Sequence, residues 1–364
     1  MSRKWKGKGW ARKKANKKEE SPLMYEGEFR EVRKREVVFL ITLLLLSVIV
    51  GFPAYAAPKP RLMIYTSTKE VLFGQLKDAF VKKHPDICVD YYTAGAGKIM
   101  AKLAAEHHSG KINADILWTS EIADFYQLKD QGLLERYVSA EAAEVISPVV
   151  DPEGYFTPAR LGTIGIAYNT SKIKNPPRTW EDLLKLEFSD GFGIASPLIA
   201  GTSMVSISIL AKNLGWDYIR KLRANGAKIG QGATQIVDDT AVGDLKACLA
   251  VDYIAINKIK EGAPIEFVYL DTIIVFPSPI GIIKGTPNLE AAKTFIDFVL
   301  SKEGQAIIAR SCTLPVRRDI PITEGVGLIE PSEAVKRAMS LDYVQLRSEK
   351  VEIIDKFLSI MTKN

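Results

Sequence analysis

Residues 61–118 read RLMIYTSTKEVLFGQLKDAFVKKHPDICVDYYTAGAGKIMAKLAAEHHSGKINADILW, and this stretch decides the fold class. Arg61–Tyr65 is a short apolar run with the look of a buried strand, and Thr66-Ser67-Thr68 follows it. Over Lys69–His84 the apolar residues Val71, Leu72, Leu76, Phe80 and Val81 fall at helical spacing. Ser67, with Glu70 three residues on, predicts a capping box at that helix start. Ile87–Tyr92 is a second strand ending in Ala94-Gly95-Ala96-Gly97, Lys98–His108 a second helix, and Ala114–Trp118 a third strand. Thr119-Ser120 stops that strand and opens a helix over Glu121–Gln131, closed by Gly132. Strand, polar or glycine loop, then helix: three such units predict a mainly parallel sheet covered on both faces.

Outward from this stretch the alternation continues. Thr163–Tyr168 and Gly193–Ser196 read as strands, with a short helix over Trp180–Leu186 between them. Pro197–Ser203 reads as a loop before a buried helix, Met204–Leu214, and Trp216–Asn225 is amphipathic. Lys228–Ile229 starts a strand, Gly230–Thr234 is a glycine-bearing loop, and Lys246–Val251 is a strand leading through Asp252-Tyr253 into a helix. Ile265–Tyr269, Thr272–Phe276 and Ile280–Ile283 are separate extended pieces. Asn288–Ser301, Glu303–Arg310 and part of Ser332–Met361 are helical. The first block has too few strands to close its sheet unless chain after Thr272 returns to it. Two lobes are therefore expected, one of residues 57–161 plus 272–364 and one of 162–271, joined by two extended hinge connections.

The chain has 364 residues and a formal charge of +6, but residues 1–36 alone carry a net +7. The remainder is close to neutral, which argues against a nucleic-acid partner. Val37–Val50 is an apolar run flanked by Arg33-Lys34-Arg35 and by Ala54-Tyr55-Ala56. Charged flank, short apolar core and small-x-small triplet predict an export signal over residues 1–56, cut after Ala56. Met24 would be a more usual start, which makes 1–23 a mis-called beginning. The alternative is an uncleaved anchor through residues 37–50. Either places the body outside the cytoplasmic membrane, periplasmic or extracellular. Cys88, Cys248 and Cys312 form no C-x-x-C and are read as buried free thiols.

In open α/β sheets ligands sit beyond the carboxyl ends of strands, where helix N-termini offer unpaired N–H groups. The candidate ligand-binding positions are Thr66, Ser67, Thr68, Gly95, Ala96, Gly97, Ser120, Gly201, Thr202, Ser203 and Thr234. Their glycines, hydroxyls and helix starts suit an anion. Enzyme motifs fail. Gly97-Lys98 has Tyr92 where a phosphate loop needs its first glycine and Ile99 where it needs Ser or Thr. Gly230-Gln231-Gly232 has Gln235 in place of a third glycine, and no Gly-x-Ser-x-Gly occurs. His84, His107 and His108 end helices, where they complement the dipole, and Asp238-Asp239 reads as a solvated helix face. No catalytic residue and no cofactor is expected.

LMIYTSTKEVLFGQLKDAF, ADILWTSEIADFYQLKDQGLLERY, GTIGIAYNTSKI and IGIIKGTPNLEAAKTFIDFVLSKEGQAII together resemble the extracellular solute-binding proteins of ABC importers. Within them the likeness is to the iron(III), phosphonate and sugar-phosphate type, over Leu62 to Asp319. The resemblance implies a two-lobed type II periplasmic-binding-protein fold, a monomer that closes on its ligand like a flytrap, and docking to membrane permease subunits. It adds Asp252 and Tyr253 to the ligand positions. Iron(III) binders of this type use two adjacent tyrosines, whereas this chain reads Asp252-Tyr253-Ile254, so Tyr253 alone would serve a ferric ion carried as cargo. A phosphonate, phosphate ester or ferric complex is the expected ligand. The alternatives are a ferric-ion-binding protein of the same family and a membrane-tethered sensor domain.

Overall fold

The computed structural model describes residues 33–42, 59–146, 151–325 and 327–362. The chain divides into two units, Met1–Pro58 and Lys59–Asn364. In the first, residues 33–42 form a helix, α1, whose Val37–Ile41 side chains are exposed. Residues 1–32 and 43–58, which hold most of the expected export signal and its cleavage point, lie outside the described residues. Among those described, no helix is long and apolar enough to cross a membrane.

The second unit opens with β1 (Arg61–Thr66), α2 (Glu70–Lys83), β2 (Cys88–Thr93), α3 (Ala96–His108), β3 (Ile116–Trp118), α4 (Ile122–Asp130) and β4 (Leu134–Glu135). β5 (Thr157–Asn169) leads to β6 (Phe192–Ala195), α5 (Gly201–Asn213), α6 (Trp216–Ala224), β7 (Lys228–Gly230), α7 (Ala233–Val242), β8 (Ala247–Val251) and α8 (Asp252–Lys260). After β9 (Ile265–Val268), β10 (Ile274–Ile283) returns, followed by α9 (Leu289–Leu300), α10 (Lys302–Arg310), α11 (Pro331–Lys336) and α12 (Tyr343–Thr362). The strand order is β2-β1-β3-β10-β5-β8-β6-β7, with β4 on β10 and β9 on β5. β1 pairs in parallel with β2 and β3, and β6 with β7 and β8, so each end of the sheet is parallel as expected. The two long strands between them are antiparallel to each other and to their outer neighbours.

β5 joins the two ends. Its first half, through Ile164, pairs with β10; from Ile164 to Tyr168 it pairs with β8. β10 is one strand rather than the two pieces expected, because Pro277 and Pro279 are accommodated by a register shift between Ser278 and Pro279. Apolar residues fill both faces: Phe73, Phe80, Phe295 and Trp118 on one, and Phe125, Phe156, Met204, Leu210 and Phe357 on the other. Helix α12 packs against α4 and also against α5 and α6, so the C-terminal helix spans both ends of the sheet.

Three local expectations are corrected. α2 starts from Lys69 without a side-chain cap, because Ser67 Oγ instead accepts from the Ser120 N–H at 3.1 Å. Gly201-Thr202-Ser203 are the first turn of α5, not loop. Cys88 is exposed, while Cys248 and Cys312 are buried; all three are free.

Candidate functional site

A cavity of about 90 Å³ lies where the helix starts converge. From one end of the sheet come Ser67 and Lys69 after β1, Gly95 and Ala96 at the start of α3, and Ser120 after β3. From the other come Ile199 to Thr202 at the start of α5, Gly232 and Ala233 at the start of α7, and Val251, Tyr253 and Ile254 around the start of α8. Arg160 of β5 lines it from the strand that joins the two. The starts of α3, α5, α7 and α8 therefore point partial positive charge toward one small space.

Of the expected positions, Ser67, Gly95, Ala96, Ser120, Gly201, Thr202 and Tyr253 line the cavity. Thr66, Thr68, Gly97, Ser203, Thr234 and Asp252 do not, and the reasons are local. Thr66 Oγ1 accepts from the Thr68 N–H at 3.0 Å, and both residues are buried beside the loop. Ser203 is turned inward to donate to the Ala195 carbonyl. Gly97 lies under the Leu198 carbonyl, where any Cβ would collide. Thr234 follows Ala233 into α7, its hydroxyl buried without a partner. Asp252, fully buried, accepts from the Thr163 N–H (3.1 Å), the Thr163 hydroxyl (2.9 Å) and the Tyr253 N–H (2.6 Å).

Arg160 and Lys69 are the residues that the sequence reading missed. Arg160 is 2% exposed, its guanidinium 5.0 Å from the Tyr253 ring centre, and Nη1 donates to Thr313 Oγ1 at 3.1 Å. Thr313 Oγ1 in turn lies 3.2 Å from Asp252 Oδ2, so cation and carboxylate communicate through a hydroxyl. Arg160 Nε is buried with no partner. A buried guanidinium N–H without an acceptor is costly, and it is the kind of orphan a ligand oxygen resolves. Burial lowers the Lys69 ammonium below its usual range, with Asp238 opposing. Burial raises the Tyr253 phenol, with Arg160 opposing. Burial raises the Asp252 carboxyl, opposed first by Arg160. No carboxylate or imidazole is among the cavity's lining residues. The surface therefore offers two cations, hydroxyls and helix N-termini, a set made for oxyanions.

The two walls touch. A Cβ at Gly95 would run into the Ile199 carbonyl, and one at Gly201 would come within 2.9 Å of Ala96 Cβ. Glycine at these seams lets backbone meet backbone across the cleft.

Residues 112–344 match the family model described as bacterial extracellular solute-binding protein. The chain is 29% identical over 256 residues to a Salmonella typhimurium protein provisionally named a 2-aminoethylphosphonate-binding periplasmic protein, covering 67% of this chain and 73% of that one. In structure it is similar to the periplasmic binding protein AfuA of Actinobacillus pleuropneumoniae, solved with fructose-6-phosphate: TM-score 0.74, 24% identity, 84% of this chain and 100% of that one. It is also similar to iron-bound HitA from Pseudomonas aeruginosa: TM-score 0.70, 22% identity, covering 82% of this chain and 99% of that one.

Proposed function

Because the chain belongs to the bacterial extracellular solute-binding proteins, we propose that it captures a small phosphonate or phosphate ester between two lobes and hands it to a membrane permease. Its fold is that of the type II periplasmic binding proteins, and the family consists of receptors for ABC importers rather than enzymes. Such receptors are exported, and the basic flank and apolar run of the N-terminus fit that route. The lobes are residues 57–161 plus 272–364 and residues 162–271, hinged where β5 and β10 run side by side. α12 departs from that division by packing on both.

The observation that carries the ligand class is Arg160, a buried cation that lines a cavity with no acidic side chain and whose Nε has no hydrogen-bond partner. An oxyanion supplies the missing acceptor and the missing charge together. A bare ferric ion fits worse. It needs several hard anionic oxygens, whereas the cavity offers one phenol that burial makes harder to ionise, beside two repelling cations.

Thermal-shift and calorimetric titration with methylphosphonate, glycerol 3-phosphate, fructose 6-phosphate and ferric citrate tests this. Stabilisation by one of the first three, rising with the logarithm of its concentration, is the expected result. Arg160→Met should weaken that ligand by at least about a hundredfold. Stabilisation by ferric citrate alone, unaffected by Arg160→Met, would replace this reading with the ferric one.

A further inference from the structure

Glu121 and Asp124 stand at the start of α4, directly after cavity-lining Ser120, and each side chain is only 2% exposed. Lys350, midway along α12, reaches both: its Nζ lies 2.6 Å from Glu121 Oε1 and 2.6 Å from Asp124 Oδ1. The other Asp124 oxygen is buried without a hydrogen-bond partner. One cation facing two carboxylates in a dry place leaves negative charge uncompensated. The location matters as much as the charge. A Cβ on Gly201 would come within 3.2 Å of both Glu121 Cβ and Ser120 Oγ, so this group lies beneath the seam where the start of α4 meets the start of α5. Helix α12 reaches it while packed on α5 and α6 as well.

We infer that Lys350 is a positioning residue for ligand capture: from the C-terminal helix it neutralises Glu121 and Asp124 and so holds the Ser120 end of α4 against Gly201 in the arrangement that lines the cavity. This rests on the cavity being the anion site. Burial first, then the charge of Asp124, pushes the Glu121 carboxyl up to about 8, with Lys350 opposing; burial raises Asp124 too. Near neutrality Glu121 therefore keeps its proton, so Lys350 faces one carboxyl held neutral and Asp124 beside it. Above about pH 8 ionisation of Glu121 adds a negative charge beside a space that receives an anion.

Other charged groups face the cluster from each neighbouring element. His107 and His108 of α3 share a surface groove with Asp124 and Lys350. Arg347 of α12 pairs with Asp130 at the far end of α4. Lys69 and Arg160 lie beyond Ser120 in the cavity, and the first turn of α5 brings no acidic side chain.

The test uses the full chain and the variants Lys350→Met, Lys350→Arg and Glu121→Gln. Amide hydrogen exchange over residues 119–125 is read without ligand, and titrations with inorganic phosphate, methylphosphonate and glycerol 3-phosphate are made at about pH 6.5 and pH 9. Lys350→Met should speed that exchange and weaken the best-bound probe, each by about tenfold or more, and Lys350→Arg should restore both to within about threefold. Glu121→Gln, which keeps Lys350 and Asp124 as a neutral pair, should gain affinity relative to the unsubstituted chain as pH rises; the quotient cancels the probe's own titration. Unaltered exchange and affinity in Lys350→Met overturn the inference. Should that variant fail to fold, a Glu121→Gln quotient that stays flat with pH overturns it instead. A chain that binds none of the probes sinks the anion reading, and the exchange result then decides alone whether Lys350 holds this segment.

Discussion

Two buried charge clusters sit on either side of Ser120, and they are built to opposite accounts. Around Arg160 there is one cation, one carboxylate reached through Thr313, and an N–H left over. Around Lys350 there is one cation, two carboxylates, and two carboxylate oxygens without a hydrogen bond, Glu121 Oε1 and Asp124 Oδ2. The first is short of an acceptor and faces a cavity open to solute. The second is short of a proton and lies between packed helices, with Lys350 at the edge of a surface groove. A buried cluster that does not balance by itself selects what completes it, here an oxyanion in one case and a hydrogen ion in the other.

Removing Asp252 should break the first cluster most severely. Its carboxylate accepts from Thr163 twice and from Tyr253, and it tethers β5 to the start of α8. Asp252→Ala leaves those donors and the Arg160 charge without a partner in the interior, which costs about 3–5 kcal/mol. Urea unfolding should show this as a large fall in midpoint; a loss below about 1 kcal/mol would mean that the pair does not depend on it.

The second cluster should appear in the pH profile of stability. Glu121 holds its proton up to about 8 in the folded chain and releases it near the ordinary carboxylate range when unfolded. Between those limits the folded state binds more protons, so stability falls as pH rises from about 4.5 to about 8 and is flat in this respect beyond. Glu121→Gln should remove that slope, worth on the order of a few kcal/mol, measured by urea unfolding across the window. An unchanged slope would assign it to other groups.

Much of this frame was legible in the sequence, and the gaps have physical causes. The three strand–helix units of residues 61–131 follow from apolar period and the loops between, and the parallel β1–β3 end of the sheet follows from them; the β6–β8 end follows from the same alternation continued through Val251. β10 was split because Pro277 and Pro279 interrupt a strand that the fold nevertheless threads between β3 and β5. Ser67 and Glu70 have capping-box spacing, yet the Ser67 oxygen is taken by Ser120 from a strand two positions along the chain order. Arg160 was missed because Pro158 and Gly162 hide the first half of β5. An arginine flanked by Ala159 and Leu161 was the available signal, since charged residues are seldom fully buried without a task. The Lys350 cluster joins residues more than two hundred positions apart, which no local pattern reports.

Gly95 sharpens the comparison, because it sits where the walls of the cleft touch, and only the first cluster faces that cleft. Gly95→Ala places a methyl against the Ile199 carbonyl, backbone against which nothing flexible can yield. Affinity for the anion should fall by roughly tenfold as the walls are held apart. The pH slope of stability, which lies within the α4–α12 contact, should persist. Loss of both together would show that Gly95 matters for folding rather than for closure.

The smallest effect belongs to Thr202, and its smallness is the point. Thr202 lines the cavity in the first turn of α5, and its carbonyl, not its hydroxyl, is used within the helix, accepting from Ser206 Oγ at 2.7 Å. Replacing it by alanine removes one neutral hydroxyl and leaves the backbone and the helix start as they were. Stability should stay within about 0.5 kcal/mol. Affinity should fall about three- to tenfold, the worth of one uncharged hydrogen bond, against the hundredfold or more expected at Arg160. Calorimetry on both variants with the same ligand measures the ratio directly. Equal losses at Thr202 and Arg160 would mean that charge does not dominate capture, and the contrast between a cluster awaiting an anion and one awaiting a proton would lose its first half.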